Sequence, residues 1–412
     1  MPSPLVQFAY QLNQHINDCI YPYCIKWNDS EGKWKSENDW KRLVPYYLLH
    51  MVYMDVIAPM LVVSTFYTIL FIPSVLPFEK KIIFTIFAAV LPFSTFVDYF
   101  FYHYRAEVLM IVNWVIEELD KPCGKGTVSR TIQRKSHVFR TFIQEIGNLI
   151  HGKHCDWVGL FLCSFVTGLT TISLIFAPLL VYAECDPFSL ILIILSSPET
   201  FGWTFPAQFP LMKNVILMGV CFLTGLVTVV VNIKTFSVLG MSFLFGYLKL
   251  LQRIQAFDLN FASVQRYKEL YIAENMIREP LQIVTALILE VSFLAVVVGT
   301  TVAVTWGKMG NFIISGVGIF FSVSGTMVAA IMFVTGCSWY IISGSIFDSW
   351  RREIVGVCRN RALMRRKIRS CRRLALSAGG VRILDDTVKN SFCYATVTYT
   401  ANLLLATSSV LK

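Results

Sequence analysis

The C-terminal stretch, residues 391–412, combines polar side chains with an absence of charge before its final residue. Its length is about that of one membrane span. Residues that recur there at three- and four-residue steps share one face of a helix: Thr398, Asn402, Leu405 and Ser409. An amide that faces lipid lacks hydrogen-bond partners, so this face requires a water-filled space or a partner helix. We predict that these four residues line a pore.

Other groups of chemically active residues are few. His151, His154 and Cys155 have the types of metal ligands, but a zinc site needs about four ligands and the sequence offers no fourth nearby. We therefore expect no metal site and no cofactor. Asp55 and Glu290 fall within apolar stretches, and we expect Asp55 to pair within a helix bundle and Glu290 to lie near an interface. The sequence has no phosphate-binding loop, catalytic triad or paired carboxylates, so we do not expect an enzyme.

The composition is that of an integral membrane protein. Hydrophobic residues make up 55% of the 412 residues and charged residues only 15%, whereas soluble domains carry roughly a quarter charged residues. The eleven cysteines show no regular spacing, which argues against a disulfide framework. We predict an all-α fold with seven transmembrane helices, at residues 43–72, 82–102, 157–183, 214–239, 281–306, 311–342 and 391–412.

Some helices are expected to extend outside the bilayer. The helix that contains the second span continues into the solvent until Pro122, Cys123 and Gly124 stop it. In residues 250–271, apolar side chains alternate at three- and four-residue steps with charges between them. This pattern predicts one amphipathic helix outside the bilayer, with a surface for oligomerisation.

The basic residues give the orientation. Of 36 Lys and Arg residues, 31 fall in the N-terminal segment and in the loops after spans two, four and six, and five fall on the other side. Lys and Arg cluster on the cytoplasmic side of membrane spans. We therefore expect a cytoplasmic N-terminus and an extracellular C-terminus. The net charge of +10 then reflects topology and contact with anionic lipid rather than nucleic-acid binding.

Two other classes of seven-span protein remain as alternatives. A G-protein-coupled receptor has the opposite orientation, and here only a short connection, Gly307 to Gly310, joins spans five and six. A small-solute transporter usually shows inverted repeats with interrupted spans in matching halves. Pro59, Pro92 and Pro178 interrupt spans, but no repeat is visible.

The C-terminal region resembles a known family. The run RRLALSAGGVRILDDTVKNSFCYATVTYTANLLLA is similar to the end of the insect and arthropod gustatory and odorant receptor superfamily, in which a basic segment leads into Ala-Gly-Gly and a final helix carries Thr-Tyr. Gly379, Gly380, Thr398 and Tyr399 match, whereas Leu405 and the next residue replace the Gln-Phe of the gustatory pattern. The run VQRYKELYIAENMI, residues 264–277, resembles the cytoplasmic helix before the fifth span.

The resemblance implies a ligand-gated, non-selective cation channel of four identical or related subunits in the plasma membrane, with a small-molecule tastant or odorant as ligand and membrane lipid around it. It divides the chain into a cytoplasmic segment 1–42, a six-span ligand-binding bundle 43–342 with cytoplasmic helical loops at 104–156 and 240–280, a basic cytoplasmic anchor segment 343–390 and a pore-lining span 391–412. Asn402 falls where the family has an apolar gate residue, so we expect basal leak or a gate at Leu403 or Leu405.

The resemblance also implies a ligand pocket in the outer halves of spans two to six. Residues at suitable heights for a mostly apolar pocket are Phe87, Phe176, Tyr182, Met218, Phe222, Trp306 and Phe320.

Overall fold

The computed structural model describes part of the chain. The described residues are 4–20, 23–28, 31–50, 52, 56, 58–71, 78–121, 159–160, 163–164, 166–168, 215–219, 242–257, 259–310, 312–356, 361–380 and 382–410. They belong to two compact units, Met1–Phe243 and Leu244–Lys412, and each is described by itself. Most of the predicted third and fourth spans lies outside the described residues, and the total of seven spans stays a prediction.

The first unit is mainly helical, with a small two-stranded sheet after its first helix. Its elements are α1 (Pro4–Ile20), β1 (Ile25–Asn28), β2 (Lys33–Ser36), α2 (Trp40–His50), α3 (Ala58–Phe71) and α4 (Phe78–Asp120). The strands pair antiparallel, with Trp27 opposite Trp34, and Gly32 supplies the positive φ of 64° in the turn. The all-α expectation missed this hairpin.

An aromatic cluster fixes the hairpin to its surroundings. Tyr10 packs on Trp27 and Trp34 with ring centroids 5.0 Å from each, and its hydroxyl bonds the Ser242 hydroxyl at 2.7 Å. The Asn113 amide both accepts from the Trp34 N–H at 2.9 Å and donates to the Trp34 carbonyl at 2.8 Å. The Asn113 side chain therefore replaces a strand partner for β2. Burial raises the pKa of Tyr10, which keeps its hydroxyl protonated.

Helix α4 confirms the predicted extension of the second span. It extends from Phe78 to Asp120 and is kinked at Tyr104, whose φ of −103° and ψ of 16° are not helical. The helix ends two residues before Pro122, because the residue that precedes a proline is pushed out of the helical region.

The second unit contains the remaining described elements. These are α5 (Gly246–Gln255), α6 (Phe261–Met276), α7 (Arg278–Lys308), α8 (Phe312–Gly356), α9 (Arg361–Arg369), β3 (Ser377–Ala378), β4 (Arg382–Ile383) and α10 (Asp386–Val410). In the described part of the chain, α7 and residues 314–354 of α8 are long and apolar enough to cross a membrane. Helix α8 continues well beyond the predicted end of span six at residue 342.

The single amphipathic helix predicted over residues 250–271 is wrong. The chain forms two helices there, because the Asn260 side chain accepts from the Ser263 N–H and the Ser263 hydroxyl bonds back to Asn260. This reciprocal capping starts α6 afresh. Leu250, Val264 and Tyr267 are buried within the unit, so these side chains are not free to form the expected oligomerisation surface.

Helices α7 and α8 form a tight antiparallel pair. A side chain at Gly299 would meet the Gly318 carbonyl oxygen at 2.8 Å, so both backbones approach closely only because glycine has no Cβ. Hydroxyls join the helices: Thr300 to Ser322 at 2.8 Å, and Ser315 to the Ala303 carbonyl at 2.7 Å. This pair forms the framework on which the C-terminal helix packs.

A glycine turn connects the basic segment to the last helix. Strands β3 and β4 pair antiparallel, and Gly379 and Gly380 between them have φ values of 61° and 73°. Residues with positive φ are typical of hairpin turns, and glycine adopts such φ values without strain. The Gly379 N–H donates to the Gln282 carbonyl of α7 at 3.1 Å, which attaches the turn to α7.

We expect Gly379→Ala to lower the free energy of unfolding by about 1 kcal/mol, because an L residue is strained at positive φ. Gly316→Ala is the matched control, since Gly316 lies within α8 and a Cβ there meets nothing within 4 Å. The control is expected to be neutral or stabilising. Thermal unfolding of the detergent-solubilised chain measures both, and equal melting temperatures for the two variants would contradict the assigned turn.

Candidate functional site

The helix that carries the predicted pore residues begins before the apolar stretch does. Asp385 caps it, since its carboxylate accepts from the Val388 N–H at 2.9 Å. Asp386 in the first turn accepts a hydrogen bond from the Lys389 ammonium at 2.6 Å. A negative charge at the N-terminal end of a helix interacts favourably with the helix dipole. Helix α10 therefore starts at Asp386 rather than at residue 391.

One side of α10 packs on the α7–α8 pair through aromatic rings. Phe392 lies edge-on to Phe333 and Phe293, with centroid distances of 5.2 and 5.9 Å. Tyr399 meets Phe293 at 5.7 Å. Such tilted aromatic pairs favour one rotational setting of a helix. The packing thus determines which residues of α10 face away from the unit.

The predicted pore residues lie on a different side of α10 from Phe392. Since a helix turns by about 100° per residue, Thr398, Asn402, Leu405 and Ser409 fall within about 60° of one another. Asn402 and Leu405 are exposed in the single chain and Thr398 is half-buried. The side chain of Ser409 lies outside the described ones. That these residues line a pore stays a prediction.

Sequence reasoning missed Tyr394, whose side chain is 75% exposed. It precedes Thr398 by four residues, so it extends the same stripe by one helical turn towards the start of α10. The same four-residue step was the signal available in the sequence.

The exposed sides of α8 and α10 differ in chemistry. Over residues 312–341 of α8, several large exposed side chains are apolar: Phe312, Ile319, Val323, Val334 and Ile341. Such a surface is expected where a helix faces lipid or another apolar surface. On α10 the amide of Asn402 is exposed beside apolar Leu405, and this helix is less apolar than α7 or α8. The surface of α10 therefore suits a wetter environment.

The predicted ligand-pocket residues fall partly in the first unit, partly in the second and partly outside the described residues. Phe87 lies on α4, and Met218 is an exposed residue of the helical run 215–219. In the second unit, Trp306 and Phe320 are half-buried, on α7 and α8. The other three, Phe176, Tyr182 and Phe222, lie outside the described residues. The pocket stays a prediction.

The residues considered as metal ligands in the sequence are not part of the described structure. His151, His154, Cys155 and Asp55 lie outside the described residues. Among the residues whose placement is given, no group of three or more His, Cys, Asp or Glu side chains is arranged to hold a metal ion. Glu290 is exposed on α7.

A small pocket lies next to the glycine turn that leads into α10. It has a volume of about 140 Å³ and is lined by Tyr271, Glu274, Arg278, Arg372, Arg373, Ala375, Ser377, Gly380 and Ile383. The Glu274 carboxylate lies 3.8 Å from the Arg278 guanidinium. Burial nevertheless raises the pKa of Glu274 above its ordinary range, and Arg278 only partly opposes the rise.

The described architecture defines a class: a mostly helical protein whose long helices contain apolar segments and continue beyond them. No family model and no curated protein sequence matches the chain. Solved structures do match. The insect olfactory receptor OR5 from Machilis hrabei aligns over 97% of both chains, with 11% identity and a TM-score of 0.56.

The same receptor in complex with eugenol aligns over 97% of both chains, with 10% identity and a TM-score of 0.52. At such low identity the likeness shows the fold. The chain therefore has the fold of an insect olfactory receptor, and this confirms the resemblance indicated by the C-terminal motifs at the level of fold.

The buried carboxyl group of Glu274 predicts a pH-dependent stability. The pKa of Glu274 is raised in the folded state. Its contribution to the free energy of unfolding is therefore fully present below the pKa of the unfolded chain, about 4.3. That contribution is lost as the pH rises through the folded-state pKa. We expect Glu274→Gln to raise the melting temperature at neutral pH and to have less effect near pH 4. The control is Glu279→Gln, which removes an exposed carboxylate. Similar effects of both substitutions at neutral pH would contradict the assignment.

Proposed function

We propose that the chain belongs to the gustatory and odorant receptor superfamily and acts as a ligand-gated, non-selective cation channel. The proposal joins two independent observations: the fold of an insect olfactory receptor over 97% of the chain, and the motif residues Gly379, Gly380, Thr398 and Tyr399 at the expected places before and within the last helix. In this proposal the chain is a receptor and not an enzyme.

The proposal that α10 lines a pore is supported by the exposed surface of this helix. One helix per chain cannot enclose a pore, so the proposal requires an assembly, and we propose a homo- or hetero-tetramer with related receptor subunits. The exposed side of α10 presents an amide and apolar groups but no acidic residue among Tyr394, Thr398, Asn402 and Leu405. Rings of hydroxyl and amide groups discriminate weakly among cations, because they lack the fixed negative charge of an acidic ring.

A small organic molecule is the proposed ligand. The receptor with the similar fold has been solved in complex with eugenol, and a mostly apolar pocket suits such a molecule. We propose that binding favours an arrangement in which the last helices of neighbouring subunits move apart. Whether the ligand is a tastant or an odorant is left open by this proposal.

Asn402 provides the sharpest test of the proposed pore. A ring of amides is a poorer dewetting gate than a ring of valines, so we expect Asn402→Val to reduce ligand-free current by at least about tenfold while surface expression is retained. The measurement is whole-cell current with and without a panel of small organic ligands. Thr396→Val is the control, because the Thr396 hydroxyl bonds the Phe392 carbonyl of its own helix at 2.8 Å. Unchanged basal and evoked currents in Asn402→Val would refute the pore assignment.

The proposed orientation is tested separately. We expect an epitope tag after Lys412 to be accessible on intact cells, and a tag before Met1 to become accessible only after permeabilisation, because 31 of 36 basic residues lie on the proposed cytoplasmic side. The reverse result would support a G-protein-coupled topology. An accessible C-terminal tag without ligand-evoked current would support the proposed orientation but contradict the proposed channel activity.

A further inference from the structure

The second unit contains a pocket surrounded by arginine side chains. Its volume is about 560 Å³, within the range of small-molecule sites, and it is lined by Phe347, Arg351, Ile354, Arg365, Ile368, Arg369, Cys371 and Arg373. Four of these eight residues carry a positive charge. Among the residues that the structure describes, no carboxylate lines the pocket.

The floor and the rim of the pocket differ. Phe347, Ile354 and Ile368 are buried and form an apolar base, whereas the arginines are exposed at the rim. Arg365 and Arg369 are four residues apart on α9, so their side chains lie on the same face of that helix. Two like charges at this spacing repel each other, which favours an anion between them.

The remaining wall is held in place by packing. The Arg373 guanidinium lies over the Tyr340 ring at 5.6 Å from its centroid. Hydroxyls of Tyr267 and Ser343 bond the carbonyls of Arg372 and Leu374 at 2.8 and 3.1 Å. These bonds fix the segment after α9 against α6 and α8.

Among the described residues, an ion pair with an acidic side chain is found for Arg351 of the four arginines. Asp348 lies 3.7 Å from Arg351 as an exposed pair, and such pairs are weak. Glu353, nearby on α8, is engaged by the Leu259 N–H at 2.8 Å and the Ser349 hydroxyl at 3.0 Å. No ion pair joins Arg365 or Arg369 to an acidic side chain in the described part of the unit.

We propose that this pocket binds an anion that carries several phosphate groups, such as the headgroup of a phosphoinositide. Guanidinium groups bind phosphate oxygens in pairs, with strong charge-assisted hydrogen bonds. Four positive charges line the pocket, and an anion with several negative charges matches them better than a singly charged lipid does. The inference does not depend on channel activity. The proposed orientation affects only which molecule supplies the phosphate groups, because that orientation places the pocket on the side of the cytoplasmic leaflet.

The experiment uses the full chain and two probes. Soluble inositol trisphosphate is titrated into the detergent-solubilised protein, and the protein in nanodiscs is compared between bilayers with phosphatidylinositol bisphosphate and bilayers of matched charge with phosphatidylserine. Binding of the trisphosphate in detergent, without preference for the bisphosphate bilayers, assigns the site to a free polyphosphate. Binding only in the bisphosphate bilayers assigns the site to the lipid.

The matched variants separate a pocket from general basic charge. Arg365→Gln with Arg369→Gln removes two charges from the pocket, and we expect about a tenfold or greater loss of affinity, since two charge-assisted contacts are lost. Arg352→Gln with Arg366→Gln removes two exposed charges of the same region that do not line the pocket, and we expect little loss. Equal losses in both pairs, or equal binding to the phosphatidylserine bilayers without binding of the trisphosphate, would overturn the proposal. Thermal unfolding of both variants confirms that they fold.

Discussion

The second unit depends on the close contact between α7 and α8. Inside a bilayer, helices gain nothing from leaving water, so their association rests on close packing and on hydrogen bonds between them. Gly299 and Gly318 bring the two backbones together, and the hydroxyls of Thr300 and Ser315 supply bonds across the interface. A larger residue at either glycine would separate the helices along with everything packed on them.

The last helix inherits its orientation from that pair. Phe392 and Tyr399 pack against rings on α7 and α8, while the turn at Gly379 is tied to the Gln282 carbonyl. With one side and one end of α10 fixed, the exposed side is determined as well. An asymmetric helix of this kind presents polar groups on one side without making the whole helix polar.

The part of the second unit beyond the apolar helices has a different physical character. Helices α5 and α6 bury Tyr247 and Tyr267, whose hydroxyls bond the Leu270 and Arg372 carbonyls at 2.6 and 2.8 Å. Burial raises the pKa of both phenols, so these groups remain neutral donors. Polar groups here hold a compact core together, while the positive charges of α9 remain at its surface. A rigid core with a charged surface suits binding of an anion.

The sequence alone indicated long apolar helices, the continuation of α4 to the residues before Pro122, the glycine pair Gly379 and Gly380 before the last helix and the polar stripe of that helix. These follow from local rules: apolar length, proline and glycine as helix breakers, and helical periodicity. Only the tertiary structure decided which side of α10 is packed, that residues 250–271 form two helices, and that Trp34 is bound by Asn113. Those features depend on contacts between residues distant in sequence, or on one capping interaction that outweighs a periodic pattern. The arginine pocket belongs to the second group, because periodicity identifies a basic helix but only folding brings Arg373 beside Arg365 and Arg369.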